Sequence, residues 1–426
     1  MSGALARAAY SGLLRLATPV YLARLWWRGR REPLYRHAWR ERLGGFDGDA
    51  GTGRVWLHAV SLGETRAAEP LVDALRKHRP GLRLLLTHGT ATGREAGAKL
   101  MRHGDLQTWL PYDTPGAVHR FLRRHQPAVG VLMETEVWPN LLRAARELEV
   151  PMVLANARLS EKSLAKGERL RALIRPAVAT LARVLAQTEP DARRLRAAGA
   201  NAVQVVGNLK YDVSPNPKLI ARGLQWRQPL NRPVVLATST REGEEEPLLQ
   251  AWAQLPAPRP LLVLVPRHPQ RFELVADILP DFGLSFVRRS DWHDNPPPEA
   301  GQADLWLGDS VGEMPLYYGM ADVAILGGSF ARLGGHNLIE AAACGCPLVM
   351  GPHTFNFAQA AELSLAARAS VRAKTIDEAV HKAVALALDP VRNEWVQRAF
   401  DFAAQHRGAA ERMAGEVVAL LQAQGL

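Results

Sequence analysis

One local pattern repeats from residue 53 almost to the end of the chain: a short apolar run followed by a longer amphipathic segment. Between residues 64 and 78, Ala67, Leu71 and Leu75 recur at the spacing that places side chains on one helix face. Strands that alternate with helices pair in parallel, and helices cover both faces of their sheet. The pattern therefore predicts an α/β protein. The predicted strands are 55–60, 83–87, 128–133, 151–155, 183–187, 203–206, 234–237, 261–265, 284–287, 304–307, 323–326 and 347–350.

The chain of 426 residues is long for one hydrophobic core, so two domains are expected. A stretch rich in proline and turn residues separates the two halves of the pattern. Two doubly wound domains in series would put a cleft between them, and ligands bind beyond the carboxyl ends of the strands. The predicted divisions are an N-terminal segment 1–50, a first Rossmann-like domain 51–215, a linker 216–232, a second Rossmann-like domain 233–405 and a C-terminal helix 406–426.

The N-terminal segment combines apolar and basic residues. Residues 4–27 are mostly apolar but are interrupted by Arg7, Arg15 and Arg24, so no uncharged run reaches the ~20 residues of a membrane span. The first 42 residues hold nine arginines and two acids, with Trp26 and Trp27 where the basic run begins. This pattern favours a helix that lies in the interface of an anionic membrane. The alternative is a helix packed on the protein's own core.

Net charge narrows the possible partners. The chain carries a formal charge of +11, which favours nucleic acid, acidic lipid or a phosphorylated substrate. The basic stretches do not form a recognisable nucleic-acid-binding module, so nucleic acid is not expected. The dinucleotide motif G-x-G-x-x-G is absent after the first predicted strand, as are a P-loop and metal-ligand spacings. Cys344 and Cys346 stand too close together for a good disulfide, which favours a reducing compartment.

Three glutamates follow predicted strands in the first half. Glu64 comes after Ser61-Leu62-Gly63 and opens a helix, where it is either a base or an acid favoured by the helix dipole. Glu134 and Glu136 follow strand 128–133. One of these two would bind a hydroxyl or a basic side chain, and the other would cap the next helix.

The second half contains three short segments whose residues suit the binding of a nucleotide. Arg267 and His268 follow a strand and suit a phosphate or a pyrimidine ring. Gly312 and Glu313 open a helix. In GGHNLIE, glycines would leave amide groups available to a phosphate, and Glu340 would hold a ribose diol. Asn337 and Glu340 are also spaced as a capping box, which is the competing interpretation.

Nine motifs, in order, carry a resemblance to a known family over nearly the whole chain. They are HAVSLGE, LPYDTPGAVHRFL, METEVWPNLL, NARLSEKS, GNLKYD, PRHPQRF, GDSVGEM, GGHNLIEAA and GPHTFNF. Together they resemble the Kdo transferases, which move 3-deoxy-D-manno-octulosonic acid (Kdo) from CMP-Kdo to a lipid A precursor. The resemblance implies a GT-B fold, with two Rossmann-like domains facing a cleft, the acceptor on the first domain and the CMP-sugar on the second.

The resemblance also implies roles for individual residues. Glu64 matches the catalytic base of an inverting transfer, and Glu134 and Glu136 match an acidic motif on the acceptor side. The implied CMP-binding residues are Arg267, His268, Gly312, Glu313, Asn337 and Glu340. No metal or cofactor is implied besides the donor substrate. Arg241 departs from the family, which usually has histidine there, and could alter donor contacts.

The implied acceptor is an anionic lipid A precursor, lipid IVA, at the cytoplasmic side of the inner membrane. The net charge and the basic N-terminal segment agree with an anionic acceptor and a membrane surface. Two alternatives remain at this point. One is another GT-B sugar-nucleotide transferase or epimerase, and the other is a membrane-bound anion-binding protein without catalysis.

Overall fold

The computed structural model describes residues 3–48, 50–212 and 214–425. The chain divides into two compact units. The first comprises the chain up to Asp212 together with the residues from Arg407 onwards, and the second comprises the residues between. Each unit contains a seven-stranded sheet in which every pairing is parallel. The α/β prediction is confirmed.

The first unit alternates strands and helices from β1 onward. Its strands are β1 Val55–His58, β2 Leu84–His88, β3 Leu106–Trp109, β4 Val129–Met133, β5 Met152–Ala157, β6 Arg183–Ala186 and β7 Val203–Val205. Its helices up to β7 are α1 Gly3–Arg28, α2 Leu62–His78, α3 Ala91–Ala98, α4 Pro115–His125, α5 Pro139–Glu147, α6 Glu161–Arg169, α7 Arg171–Val178 and α8 Glu189–Ala197. Short 3₁₀ turns lie at Pro33–Arg36, Trp39–Leu43 and Leu209–Tyr211. Strand β3 was not predicted, because the sequence Leu-Gln-Thr-Trp has little apolar character.

The strand order of the first sheet is β3-β2-β1-β4-β5-β6-β7. The chain winds outward from β1 to β3 and then returns to β4, so the direction of winding switches between β1 and β4. Residues in β1 alternate between the two faces: Val55 and Leu57 belong to one core cluster and Trp56 to the other. Burial on both faces explains why the strands are apolar throughout. The loops after β1 and β4 therefore meet at the switch, where doubly wound sheets bind ligands.

The second unit repeats the same plan. Its strands are β8 Val234–Thr240, β9 Leu261–Pro266, β10 Phe286–Arg288, β11 Leu305–Leu307, β12 Val323–Leu326, β13 Leu348–Met350 and β14 Ser370–Arg372. Its helices are α9 Pro217–Arg227, α10 Glu245–Ala253, α11 Phe272–Ile278, α12 Met314–Met320, α13 Leu338–Ala343, α14 Ala358–Ala366, α15 Ile376–Ala387 and α16 Arg392–Gln405. Its 3₁₀ turns are Pro269–Arg271, Leu279–Phe282, Arg289–Asp291, Pro298–Gly301 and Phe355–Phe357. The order β10-β11-β9-β8-β12-β13-β14 switches direction between β8 and β12.

The prediction of a linker over residues 216–232 is wrong, because most of that stretch is α9. Asn216 caps the helix, and Pro217 occupies its first turn, where a missing N–H costs nothing. The helix then packs closely on α12: a Cβ on Gly223 would lie 2.1 Å from the carbonyl oxygen of Leu316, and one on Gly319 would lie 2.8 Å from that of Ile220. The turn-forming residues therefore begin a helix of the second unit.

The two ends of the chain both belong to the first unit. The C-terminal helix α17, Ala409–Gln422, packs against α2 and buries Met413 and Val417 in the core cluster that contains Val55. Helix α1 is attached through hydrogen bonds from Tyr10 to Asp113 and from Ser11 to Asn140. In the described part of the chain, no helix has both the length and the apolar character required to cross a bilayer.

Candidate active site

Glu64 lies at the switch of the first sheet, in the first turn of α2. Ser61 is the N-cap of this helix: its hydroxyl oxygen accepts from the Glu64 N–H at 3.4 Å and its hydroxyl group donates to Oε1 of Glu64 at 3.3 Å. The Val60 N–H donates to Oε2 at 2.7 Å. The helix-dipole interpretation of Glu64 therefore fits this position in the first turn. It does not exclude a chemical role, because the carboxyl group is half-buried.

The surroundings of Glu64 favour its protonated form. Burial raises the pKa of the Glu64 carboxyl above its ordinary value, and the charge of Glu134 raises it further. The hydrogen bonds from Val60 and Ser61 and the charge of Arg158 act in the opposite direction. A carboxylate with a raised pKa is a stronger base when it is ionised, which is the property a general base needs.

Glu134 and Glu136 follow β4 and lie beside Glu64 at the same switch. Glu134 has a left-handed backbone, with φ 59°, and accepts from the Arg158 guanidinium at 2.7 and 2.8 Å. Glu136 places Oε2 4.0 Å from Nε2 of His58. Burial and the charge of Glu64 raise the pKa of Glu136 to about 7. The prediction that one of the pair binds a basic side chain is confirmed for Glu134.

The prediction that the other glutamate caps the next helix is wrong. Helix α5 is capped by Asp113, whose carboxylate accepts from the N–H groups of Asn140 at 3.0 Å and Leu141 at 2.7 Å. Tyr10 of α1 donates to the same carboxylate. Asp113 stands in LPYDTPG, just before α4, so a local pattern could not reveal that it caps α5 instead. Glu136 is thereby left free of a capping role.

The switch of the second sheet is organised by Glu244, which the sequence did not single out. Its side chain is 3% exposed and accepts four backbone N–H groups. Oε2 accepts from Arg241 at 3.0 Å and Gly328 at 2.7 Å, and Oε1 accepts from Phe330 and Ala331 at 3.1 Å each. One carboxylate therefore ties the loop after β8 to the loop after β12. Four satisfied amides explain how an acid can be buried here.

Two amides of the glycine-rich loops are not available to a phosphate, contrary to expectation. The N–H of Gly328 is bound by Glu244, and that of Gly335 donates to the carbonyl of Gly328 at 2.7 Å. Asn337 caps α13 by accepting from Ile339 at 3.1 Å, so its side chain does not form the expected bond with the Glu340 N–H. Cationic side chains therefore remain as the main candidates for anion binding at this edge.

Those cationic side chains converge after β8 and β9. Arg267 and His268 are exposed, and His336 is partly buried beside them. Burial and the neighbouring charges of Arg267, Arg241 and His268 together lower the pKa of His336 to about 4. Burial also raises the pKa of Glu340, while Arg267 opposes that shift. The structure thus brings together Arg267, His268 and Glu340, with Arg241 and His336 added.

Glu313 is not part of this convergence. It is the N-cap residue of α12, and both its oxygens accept from Arg289, at 2.9 and 3.0 Å. Arg289 in turn lies over the rings of Trp226 and Trp292. Gly312 precedes it with φ 85°, a conformation that favours glycine. The CMP-binding role of Gly312 and Glu313 stays a prediction.

Comparison with known proteins shows which family the chain is similar to. Residues 37–213 match the family model described as 3-deoxy-D-manno-octulosonic-acid transferase (kdotransferase). The 3-deoxy-D-manno-octulosonic acid transferase of Bordetella pertussis is 48% identical, and the alignment covers 95% of this chain and 97% of that protein. The enzyme of the same name from Haemophilus influenzae is 34% identical over 95% and 96% of the two chains.

Solved structures with low sequence identity show the fold. Anabaena Alr3699/HepE in complex with UDP matches with a TM-score of 0.55 and 16% identity, over 86% of this chain and 99% of that chain. A glycosyltransferase from Rickettsia africae matches with a TM-score of 0.55 and 12% identity, over 87% and 99%. The two parallel sheets and these neighbours establish an α/β fold of the GT-B type. From its identity to curated relatives over nearly its full length, the chain belongs to the Kdo transferase family of glycosyltransferases.

Proposed function

We propose that this protein transfers Kdo from CMP-Kdo to an anionic lipid A precursor, lipid IVA, with Glu64 as the general base of an inverting reaction. The observation that carries the assignment to Glu64 is its position: a half-buried carboxylate at the switch point, with a raised pKa and hydrogen bonds from Val60 and Ser61 that orient it. Membership of the family supports the choice of sugar.

The reaction is a displacement at the anomeric carbon of Kdo. Glu64 takes the proton from a hydroxyl group of the acceptor sugar, and that oxygen forms the new bond to the anomeric carbon. The bond between the anomeric carbon and the phosphate oxygen breaks, and CMP leaves with the bonding electrons. The proton then resides on Glu64, whose raised pKa makes it able to hold that proton.

The second unit supplies the groups for the donor. Arg241 and Arg267 carry fixed positive charge at the edge where His268 and His336 also lie. Positive charge near the phosphate stabilises the negative charge that develops on departing CMP. Glu340 keeps its predicted role as an acceptor for the ribose diol, supported by its position next to Arg267.

The surface of α1 suits a lipid acceptor. Leu13, Leu16 and Val20 are 67%, 79% and 68% exposed, and Trp26 and Trp27 are exposed near its end. The same helix also carries arginines along its length. We include in the proposal that this helix lies on the cytoplasmic face of an anionic inner membrane, where exposed apolar side chains and basic charge both favour binding.

The function is tested with the purified full-length chain, CMP-Kdo and a bisphosphorylated lipid A precursor in mixed micelles. We expect CMP release that depends on the acceptor, with product mass increased by Kdo residues. CMP-activated sialic acid and UDP-activated sugars serve as control donors and should not be consumed. Release of CMP without acceptor modification, or consumption of UDP-sugars, would contradict the proposal.

A further inference from the structure

A cavity of about 330 Å³ lies within the first unit, between the N-terminal part of α1 and helices α5 and α7. Helix α1 is held on both sides of it: a Cβ on Gly3 would lie 3.1 Å from the carbonyl oxygen of Ala172 on α7, and Ser11 donates to Asn140 of α5 at 3.1 Å. Arg7 is four residues from both Gly3 and Ser11, so it lies on the inner face of α1 and lines the cavity. The volume is within the range of small-ligand sites.

The cavity carries positive charge that the protein does not neutralise. Arg7, Arg143 and Arg146 line it together with one acid, Glu147. Glu147 is already engaged, because its Oε1 accepts from Arg143 at 2.6 Å and its Oε2 lies 3.0 Å from Nε2 of His119. The guanidinium groups of Arg7 and Arg146 have no acid or carbonyl partner among the residues that the structure describes. Arg7 is also partly buried, and a partly buried charge without a counter-charge favours the binding of an anion.

This cavity is separate from the acidic switch. The apolar residues of α5, including Leu142, belong to the core cluster of Trp56 and face the sheet. Arg143 and Arg146 lie on the opposite side of α5, where they line the cavity. Glu64 opens α2, whose apolar residues belong to the core cluster on the other face of the sheet. A ligand in the cavity would therefore lie outside the helix layer, away from Glu64.

The cavity also has an apolar side. Leu173 and Ala177 of α7 are buried and line it next to the arginines. Leu5, which stands on α1 between the lining residues Gly3 and Arg7, is 59% exposed. A guanidinium group presents paired N–H donors that match the oxygens of a phosphate. Arginines beside apolar side chains suit a ligand that has a phosphate and an apolar part in one molecule.

We propose that this cavity binds the phosphodiester group of an anionic glycerophospholipid, with Arg7 and Arg146 as the partners of the phosphate oxygens. Leu173 and Ala177 contact the glycerol backbone and the start of an acyl chain. This inference rests on the proposed position of α1 on the membrane and adds a specific headgroup site to it. A bound lipid would join α1 to α5 and α7, and so fix the first unit to the membrane surface.

A lipid in its monomeric form tests the site without a charged surface. Dihexanoylphosphatidylglycerol, kept below its critical micelle concentration, is titrated into the full-length chain by calorimetry in the absence of vesicles. Arg7→Gln and Arg146→Gln each remove one charge-assisted contact and should weaken binding by at least about tenfold. Arg15→Gln removes an exposed arginine of α1 that does not line the cavity, and should bind as wild type.

Two further probes identify what the arginines recognise. Inorganic phosphate lacks the apolar part, and dihexanoylphosphatidylcholine adds a positive charge, so both should bind more weakly than the anionic lipid. Inorganic phosphate that binds as tightly as the lipid would show a simple anion site. Equal losses in R7Q, R146Q and R15Q would show a general charge effect. Either result overturns the inference, and if R7Q does not fold by circular dichroism, the exposed Arg146 decides through R146Q alone.

The acceptor is the competing source of a lipid-borne phosphate. In transfer assays with phospholipid-free detergent, a rise in the KM for lipid IVA in R146Q that matches its loss of phospholipid binding would assign the cavity to the acceptor and overturn the inference. The proposed function fails separately. A wild-type chain that binds the short-chain lipid but transfers no Kdo would refute the function and leave the cavity assigned, whereas Kdo transfer without binding of that lipid would refute the cavity alone.

Discussion

The two units share one topology but carry side chains of opposite charge at their switch points. In the first unit, Glu64, Glu134 and Glu136 meet at the carboxyl ends of β1 and β4, and burial raises the pKa of Glu64 and Glu136. In the second unit, Arg241 and Arg267 stand at the corresponding edge, and burial and cationic neighbours lower the pKa of His336. The same backbone scaffold therefore carries acidic groups at the edge of one sheet and basic groups at the edge of the other, as expected when function resides in the loops.

The backbone at the two edges is also stabilised differently. Glu64 bonds to its own helix cap, within a span of four residues, whereas Glu244 bridges two loops more than 80 residues apart in the chain. A local cap leaves part of the carboxyl group available for chemistry. A carboxylate that accepts hydrogen bonds from four N–H groups has no acceptor site left for a substrate, so its role is to stabilise the structure. Substitutions at the two edges should therefore affect turnover, donor binding and stability separately.

The largest effect is expected for Glu64→Gln. Loss of a general base should lower kcat by about 10² to 10⁴-fold, while CMP binding stays unchanged because the donor groups lie in the other unit. Turnover under saturating substrates and CMP titration by calorimetry measure the two quantities. Glu69→Gln, an exposed acid on the same helix, is the matched control and should behave as wild type.

Glu244→Gln should destabilise the second unit. The amide oxygen can replace one carboxylate oxygen, but the NH₂ group would face backbone N–H groups and leave buried donors unpaired, which costs about 2 to 4 kcal/mol. Thermal or urea unfolding measures the loss. Glu242→Gln, two residues away and exposed, should unfold like wild type; equal stability of both variants would show that the four bonds contribute little.

Arg267→Ala should weaken binding of the donor and leave the ionisation of Glu64 unchanged. Removal of one charge-assisted contact to a phosphate costs about 1.5 to 3 kcal/mol, or roughly 10 to 150-fold in the dissociation constant of CMP. The acid limb of the pH profile should not move, since Glu64 belongs to the other unit. Lys374→Ala, an exposed cation elsewhere in the second unit, is the control. Weakened CMP binding in both variants would indicate a general charge effect.

The two edges should also respond differently to pH. A base whose pKa is raised is ionised above that pKa and protonated below it, so kcat/KM should fall about tenfold per unit once pH drops below the pKa of Glu64, which lies above the ordinary 4.5. His336 should contribute no change in CMP binding over the same range above pH 5, because it remains uncharged until about pH 4, so that binding should follow only the protonation of the CMP phosphate at about pH 6. A parallel loss of CMP binding would contradict the division between the edges.

The smallest effect is expected on α1, where the first unit is basic rather than acidic. Leu16→Ala removes a 79% exposed apolar side chain and should weaken partition onto vesicles containing anionic phospholipid by about fivefold, or roughly 1 kcal/mol. Leu274→Ala removes a 56% exposed leucine from the second unit and should leave partition unchanged. Equal partition of both variants in a sedimentation assay would refute the membrane-binding role of α1.

Much of the fold of this protein can be predicted from its sequence. The alternation of apolar runs and amphipathic segments predicts two parallel sheets because each element must bury a face of known period, and twelve of fourteen strands follow from it. The missed strands, β3 and β14, are short and weakly apolar, since pairing with neighbours rather than composition makes them strands. Glu64, Arg267, His268 and Glu340 are predicted as site residues because each follows a strand or opens a helix.

Other features depend on contacts between distant residues, which no local pattern contains. Helix α9 exists because Gly223 and Gly319 allow close packing, although its proline and asparagine also fit a linker. Glu244 joins two loops, and Asp113 caps a helix that starts 26 residues later. His58 and Glu136 lie 4.0 Å apart because β1 and β4 are neighbours in the sheet. The residue types were set along the chain, but their burial, and with it their pKa values, came from the order of the strands.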